Sequence, residues 1–335
     1  MKETGVWMLA WRRFQRDRLG VASLVVVLIF AAVMLASASG LVVRDWGDEA
    51  GVSFAPPTFL GPEAESPQMA KMAEGGEPVS DYGIPDPLAP DLAEIAKRLS
   101  GSASGAEAKA LTLPLGGDKW GRDVLKKAVK GTQTSLFIGL AAAVLAAFIG
   151  TLFGALAGYR GGKVDDFFNW LYSVFTSIPY LLLVLSIAAV VNSKGVLPVI
   201  LILGLTGWTG IFRLIRAEYM KHKVREYVMA ADAIGASDSR RMFVHILPNV
   251  SHVVLVQLSL HVVLFIKSEV ILTFLGFGVG VDTVSWGSML AESGTELLLG
   301  KWWQLTVATV FMALLVTAFS LFTDAMRDAL DPRLK

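Results

Sequence analysis

Cysteine is absent from all 335 residues, which excludes structural disulfides, thiolate metal sites and a cysteine nucleophile. Histidine is nearly as scarce. His222, His245, His252 and His261 are too scattered to suggest a zinc site, and no HExxH occurs. No GxxxxGK(S/T) occurs either, so the chain binds no ATP through a P-loop of its own. Charged residues make up 18%, against about 25% in an ordinary soluble domain. The net charge of +1 offers no global case for nucleic acid as a partner.

What the chain has in excess is apolar residues, 54% of the total with a mean hydropathy of +0.56, and they are gathered in runs. That distribution is what lipid demands and a soluble core does not. Residues 1–18 are polar and basic, and an apolar run follows from Leu19 to Ala38. A basic lead, an apolar stretch and the ending Ala36-Ser37-Ala38 also describe a cleaved signal peptide. The run's length, about 20 residues, suffices to cross a 30 Å hydrocarbon core, and further spans follow, so we read a retained first helix. Five more spans are expected at Thr134–Gly158, Phe167–Val191, Val196–Ile215, Val253–Leu272 and Trp303–Phe322. This predicts an all-α membrane protein with six transmembrane helices. Its internal glycines and Pro179 are tolerated because neighbouring helices resatisfy freed backbone groups.

The organisation expected is 1–40 as an N-terminal segment with the first span, 41–130 as a long extracytoplasmic loop and lead-in, and 131–335 as a five-span core. Between Leu41 and Leu115 there are 12 Asp/Glu against 5 Lys/Arg, with many prolines. The stretch reads as irregular, with one short helix near Asp91–Leu99. With the N-terminus inside, the inside segments carry 16 Lys/Arg and the two short outside loops carry 2, Lys194 and Lys301. The bias places both termini in the cytoplasm.

The inside stretch 216–249 is the most informative. Two helical pieces, near Glu218–Ile234 and Asp238–Ile246, would flank a break at Gly235, with Asp238 as a cap and Pro248 just before the next span. Such an element has the shape to dock into a cleft on a partner, and equally that of a charged surface loop. In the fifth span Gln257, His261, Phe265 and Glu269 recur every four residues and line one face, with Ser268 beside them. Ionisable groups in a span usually face a cavity or the bundle interior. This stripe is a candidate pathway lining, with hydrogen bonding to a neighbouring helix or a partner as the alternative. Lys267 snorkels outward. Asp165-Asp166 reads as a capping pair, Asp118, Arg122 and Asp123 as organisers of the lead-in, and Trp286, Trp302 and Trp303 as an interfacial belt.

Several blocks resemble one family. In 216–249, Ala230-Ala231, Gly235, His245 and Leu247-Pro248 stand in the register of the signature loop of ABC importer permeases, Met229 replacing the usual Glu and Glu226 lying one turn earlier. Leu115-Gly116-Gly117-Asp118, Gly121-Arg122-Asp123, Gly158-Tyr159-Arg160-Gly161-Gly162, Phe274-Leu275-Gly276-Phe277-Gly278, Trp286-Gly287-Ser288 and Arg327-Asp328-Ala329-Leu330-Asp331-Pro332 follow in the order of the dipeptide/oligopeptide/nickel branch. The resemblance covers roughly residues 10–40 and 111–335, while the 41–110 insertion has no match.

The resemblance implies a type I importer permease fold in the inner membrane and no catalytic residues. It implies a homologous second permease, two ATP-binding subunits that hold ATP and Mg, and an extracytoplasmic substrate-binding protein. No cofactor is expected on this chain. Di- or oligopeptides would be moved by alternating access, with Glu226, Met229, Ala230, Ala231, Gly235, Asp238, His245, Leu247 and Pro248 coupling to the ATPases. Nickel or opine-like solutes are the alternative cargo, and an ion-coupled secondary transporter is the alternative class.

Overall fold

Apolar length dictates the architecture. A computed structural model describes residues 11–62, 94 and 109–330. Its helices are α1 (Arg18–Ala38), α2 (Val124–Arg160), α3 (Gly162–Thr176), α4 (Tyr180–Val191), α5 (Val196–Thr206) and α6 (Thr209–Lys223). They are followed by α7 (Glu226–Ala233), α8 (Asp238–Phe274), α9 (Trp286–Leu298) and α10 (Trp303–Leu330). Among the described residues the only β pairing consists of isolated bridges. Five stretches are long and apolar enough to cross a bilayer: α1, α2, α5 with α6, α8 and α10. The pair α3–α4 makes a sixth if it counts as one span.

That pair departs from the straight span expected at Phe167–Val191. The two helices meet at 85°. Pro179 is the cause: it has no N–H to continue α3, and it sits in extended conformation at the N-cap of α4. The core spans are also longer than expected, α2 reaching 37 residues, about 55 Å at 1.5 Å per residue. The short helix expected near Asp91–Leu99 lies outside the described residues, apart from position 94.

Two compact units divide the chain, Met1–Trp46 with Lys126–Lys335, and Gly47–Leu125. In the smaller unit, parallel bridges Gly51–Ala110 and Pro57–Leu113 lace the two described stretches together. Asp118 organises the turn after them, its Oδ1 accepting from the N–H groups of Trp120 at 2.9 Å and Arg122 at 3.0 Å. Asp123 accepts from Leu125 N–H at 2.8 Å where α2 begins. Lys109, 2.7 Å from Glu49, holds that exposed carboxyl below its ordinary range.

In the larger unit the helices approach closely wherever small residues permit it. A Cβ on Gly20 of α1 would fall 2.6 Å from Ala325 Cβ of α10, so these two helices cross nearly backbone to backbone. Phe14 is buried with Ala325 and Ala329 at the same joint. Trp208 and Phe212 of the α5–α6 span bury against Ala157, with Phe153, Phe168 and Phe175 closing the cluster. Outward-facing leucines such as Leu19, Leu28 and Leu35 on α1 remain exposed, as lipid contact requires.

Candidate functional site

The segment 216–249 folds as three connected pieces rather than two. Helix α6 ends at Lys223, α7 runs from Glu226 to Ala233, and α8 begins at Asp238. Gly235 stands between them at φ +81°, a left-handed conformation that L side chains rarely adopt. Gly235 N–H donates to Asp232 O at 2.8 Å and Ala236 N–H to Ala231 O at 3.0 Å, closing the last turn of α7. The N-cap of α8 is Ser237, not Asp238, and its hydroxyl accepts from Arg240 N–H at 3.4 Å. Asp238 instead pairs with Arg241 at 2.6 Å, and Arg241 also pairs with Asp232 of α7. One guanidinium thus clamps both sides of the Gly235 turn. Tyr159, at the end of α2, donates to Asp238 Oδ1 at 3.4 Å and holds the Arg241 guanidinium 5.8 Å from its ring centroid.

Pro248 does not mark a break. Helix α8 passes through it without interruption, because residues Arg241–Ile246 form a π-turn. A proline in an α-helix clashes with the carbonyl four residues back, and the wider turn just before it accommodates the ring. Leu247 N–H accordingly donates to Met242 O, which also accepts from Tyr219 Oη at 3.1 Å. Val228, Ala231, Met242 and Ile246 are buried, while Glu226, Met229, Ala230, Asp238 and Pro248 are exposed and His245 and Leu247 are half-buried. Ile234 is 83% exposed at the tip of the turn, an apolar side chain with no cover in this chain.

Above this element Asp165 receives Arg216 in a two-pronged ion pair, Nε to Oδ1 at 2.5 Å and Nη2 to Oδ2 at 2.6 Å. Asp165 therefore ties α3 to α6, which the capping reading of Asp165-Asp166 did not anticipate.

The stripe on α8 divides. Gln257 is half-buried and lines an open cavity of about 570 Å³ together with Glu218, Lys221, His222 and His252. His261 is turned inward: its Nδ1–H donates to Gln257 O at 2.7 Å and its ring stands edge-on to Phe265. Ser268 donates to Leu264 O at 2.9 Å within its own helix. Glu269 is fully buried and accepts from Ser135 Oγ of α2 at 2.8 Å and Thr273 Oγ1 at 2.9 Å. Ser135 Oγ accepts in turn from Trp286 N–H at 3.2 Å, so this carboxylate anchors a junction of α2, α8 and α9. Replacing Glu269 with Leu leaves both hydroxyls without their acceptor, and should cost about 1–3 kcal/mol in thermal or denaturant unfolding. Glu269→Gln, which keeps an acceptor oxygen, should cost less.

Trp286 and Trp303 are 0% and 4% exposed and lie inside the bundle, whereas Trp302 is 40% exposed as a belt residue would be. The Trp286 indole N–H donates to Ala128 O at 3.1 Å. Among the described residues no group of three or more His, Asp or Glu side chains could hold a metal ion.

A family model described as binding-protein-dependent transport system inner membrane component matches residues 150–335. The chain belongs to that family. A dipeptide transport system permease protein of Bacillus subtilis is 36% identical over 220 residues, covering 66% of this chain and 68% of that one. An oligopeptide transport system permease protein of the same organism is 37% identical, covering 66% of this chain and 72% of the relative. A di/tripeptide transport system permease protein of Pseudomonas aeruginosa is 35% identical, covering 66% and 72%. As a member of this permease family, with several helices able to cross a bilayer, the chain is a multi-pass transport component. The family region contains all three residues of the clamp, Asp232, Asp238 and Arg241. That clamp escaped sequence reading, although Asp238 and Arg241 stand three apart on one helix and the glycine turn invites a bridge across it.

Proposed function

We propose that this chain is the transmembrane permease subunit of an ATP-driven importer of di- or oligopeptides in the inner membrane, working by alternating access. The peptide transport named in relatives that align over two-thirds of the chain carries the reading of the cargo. In this reading the chain sits with both termini in the cytoplasm, the orientation favoured by the basic inside segments. It pairs with a second, homologous permease, two ATPase subunits that bind ATP and Mg, and an external substrate-binding protein. In the same reading, segment 41–130 belongs to the extracytoplasmic side.

The coupling role falls to α7 and the Gly235 turn. Exposed Met229 and Ile234 offer an apolar tip for insertion into an ATPase cleft, while Glu226 and Ala230 flank it. Behind the tip, Ala231 is buried, Arg241 clamps the turn through Asp238, and the π-turn carries the movement past His245, Leu247 and Pro248 into α8. A rigid tip fastened to a span transmits displacement that a floppy loop would absorb. Gln257 is the pathway-facing member of the stripe, and His261, Ser268 and Glu269 support it from inside.

Co-purification from native membranes followed by an ATPase assay tests this. Recovery of a second permease and ATPases, with hydrolysis stimulated by peptide-loaded binding protein, is the expected result. A chain recovered alone, under conditions that keep a known importer together, would sink it. Gly235→Val tests the lever separately. A side chain at φ +81° strains the turn by roughly 1–2 kcal/mol, and ATPase recovery should fall. Gly294→Ala, on an ordinary helical glycine with open space around it, should leave recovery unchanged.

A further inference from the structure

The open cavity beside Gln257 has a composition that transport of a peptide does not explain. It is lined by three helices: α6 toward its end at Lys223, α8 from Asn249 to Leu260, and α10 at Arg327 and Leu330. Among the described residues its polar half carries Lys221, Arg225 and Arg327 with a single carboxylate, Glu218. Glu218 is engaged by Lys221 at 3.0 Å, and His222 turns its Nδ1 to the Tyr227 hydroxyl at 2.8 Å. Arg225 and Arg327 have no ion-pair partner among the described residues, and both are exposed toward the opening. The other half is apolar, with Leu214, Val253, Val256 and Leu260 running from the charged rim along α6 and α8.

Two exposed guanidinium groups lining one opening present forked donors of the kind that bind an anionic group. The apolar wall leading away from the rim excludes a fully hydrated anion as the best occupant, since half of the lining offers it nothing. A molecule with an anionic phosphate at one end and hydrocarbon at the other satisfies both halves. Basic pockets between spans at a membrane boundary take such headgroups. We propose that this groove is a binding site for an anionic phospholipid, its phosphate between Arg225 and Arg327 and an acyl chain along Leu214, Val256 and Leu260. The site rests on the chain being a membrane permease; because Gln257, assigned above to the pathway, shares its lining, a bound lipid would sit at the inner mouth of that pathway.

The test uses the full chain in complex with the subunits that co-purify with it, in detergent, read by native mass spectrometry. Phosphatidylglycerol, phosphatidylethanolamine and inorganic phosphate are added in separate arms. Selective retention of phosphatidylglycerol is expected, and Arg225→Gln/Arg327→Gln should weaken it roughly thirtyfold, about fivefold for each lost cation. Arg160→Gln/Lys163→Gln, which removes two exposed cations elsewhere, should leave retention unchanged. Thermal unfolding of both double variants confirms that each is folded, and Arg225→Lys/Arg327→Lys should retain part of the preference. Equal retention of the zwitterionic lipid, equal loss in the control variant, or displacement of the lipid by millimolar inorganic phosphate would each overturn the proposal. The last would assign the groove to a free anion. None of these outcomes depends on peptide uptake.

Discussion

Gly158→Leu is expected to abolish recovery of folded permease, and Gly158→Ala to lower its melting temperature even though alanine is the better helix former. Gly150, Gly154 and Gly158 recur every fourth residue along α2 and present one flat face to α6. A Cβ on Gly150 would sit 2.7 Å from Ile211 Cβ, and one on Gly154 would sit 2.9 Å from both Ile215 Cβ and Phe212 O. On Gly158 it would meet Arg216 O at 2.5 Å and Tyr219 Cβ at 2.8 Å. The obstacles are backbone and branch-point atoms, which cannot swing aside as a side-chain tip could. The helices must therefore separate.

At the same end the Asp165–Arg216 ion pair ties α6 to α3, the helix that follows α2, so α6 cannot move off α2 without also pulling on α3. Overpacking of this kind costs about 1–3 kcal/mol for one extra carbon, and more for a branched chain. Exchanging glycine for alanine in an unhindered helix should instead stabilise by about 0.5–1 kcal/mol. Gly294→Ala supplies that reference, having nothing within contact of its Cβ position. Opposite signs for the two alanine variants in detergent-solubilised thermal unfolding would establish the close approach. A Gly158→Leu protein that melts like the parent would refute it.

The spans were legible because a bilayer imposes a length on any helix that crosses it, and Leu19–Ala38 or Trp303–Phe322 satisfy that length with little else to explain them. The angle at Pro179 was not legible. Proline announces that a helix ends, whereas the 85° at which α4 leaves α3 is a property of the packed chain and not of that residue type. Helix α9 was missed for a different reason. Its 13 residues carry two glutamates and two further serines, too polar to suggest a span, and Trp286 read as a belt residue. A local signal was present in Ser285 and Ser288, which cap each other's backbone at its start. In segment 216–249, residue order pointed to a break at Gly235, but only the folded turn brings Asp232 and Asp238 to the same guanidinium. On α8 the four-residue period correctly placed His261 and Glu269 on one face. Period cannot say whether that face meets a cavity or another helix, and for Glu269 it meets Ser135.

Lys127→Met is expected to destabilise the bundle by about 3–5 kcal/mol, because it leaves a largely buried carboxylate without its cation. Lys127 is 1% exposed at the start of α2, and its Nζ lies 2.5 Å from Glu292 Oε2 of α9 and 3.3 Å from Gln304 Oε1 of α10. Gln304 Nε2 donates to Glu292 Oε2 and Met289 O, each at 3.2 Å, so one polar knot joins three helices. Nothing in local sequence connects residues 165 positions apart, which is why composition and period were silent here. The neighbouring bond from Trp286 Nε1 to Ala128 O fixes α9 on the same stretch of α2, so loss of the knot should loosen α9 as a unit. Lys127→Met combined with Glu292→Leu removes both charges, and should recover most of the loss while Gln304 keeps its bond to Met289. A buried pair can be replaced by apolar residues far more cheaply than it can be halved. Thermal unfolding of the two single variants and the double in nanodiscs decides the matter. The ion pair is discarded as a determinant of stability if Lys127→Met melts with the parent, or if the double variant loses as much as the two singles together.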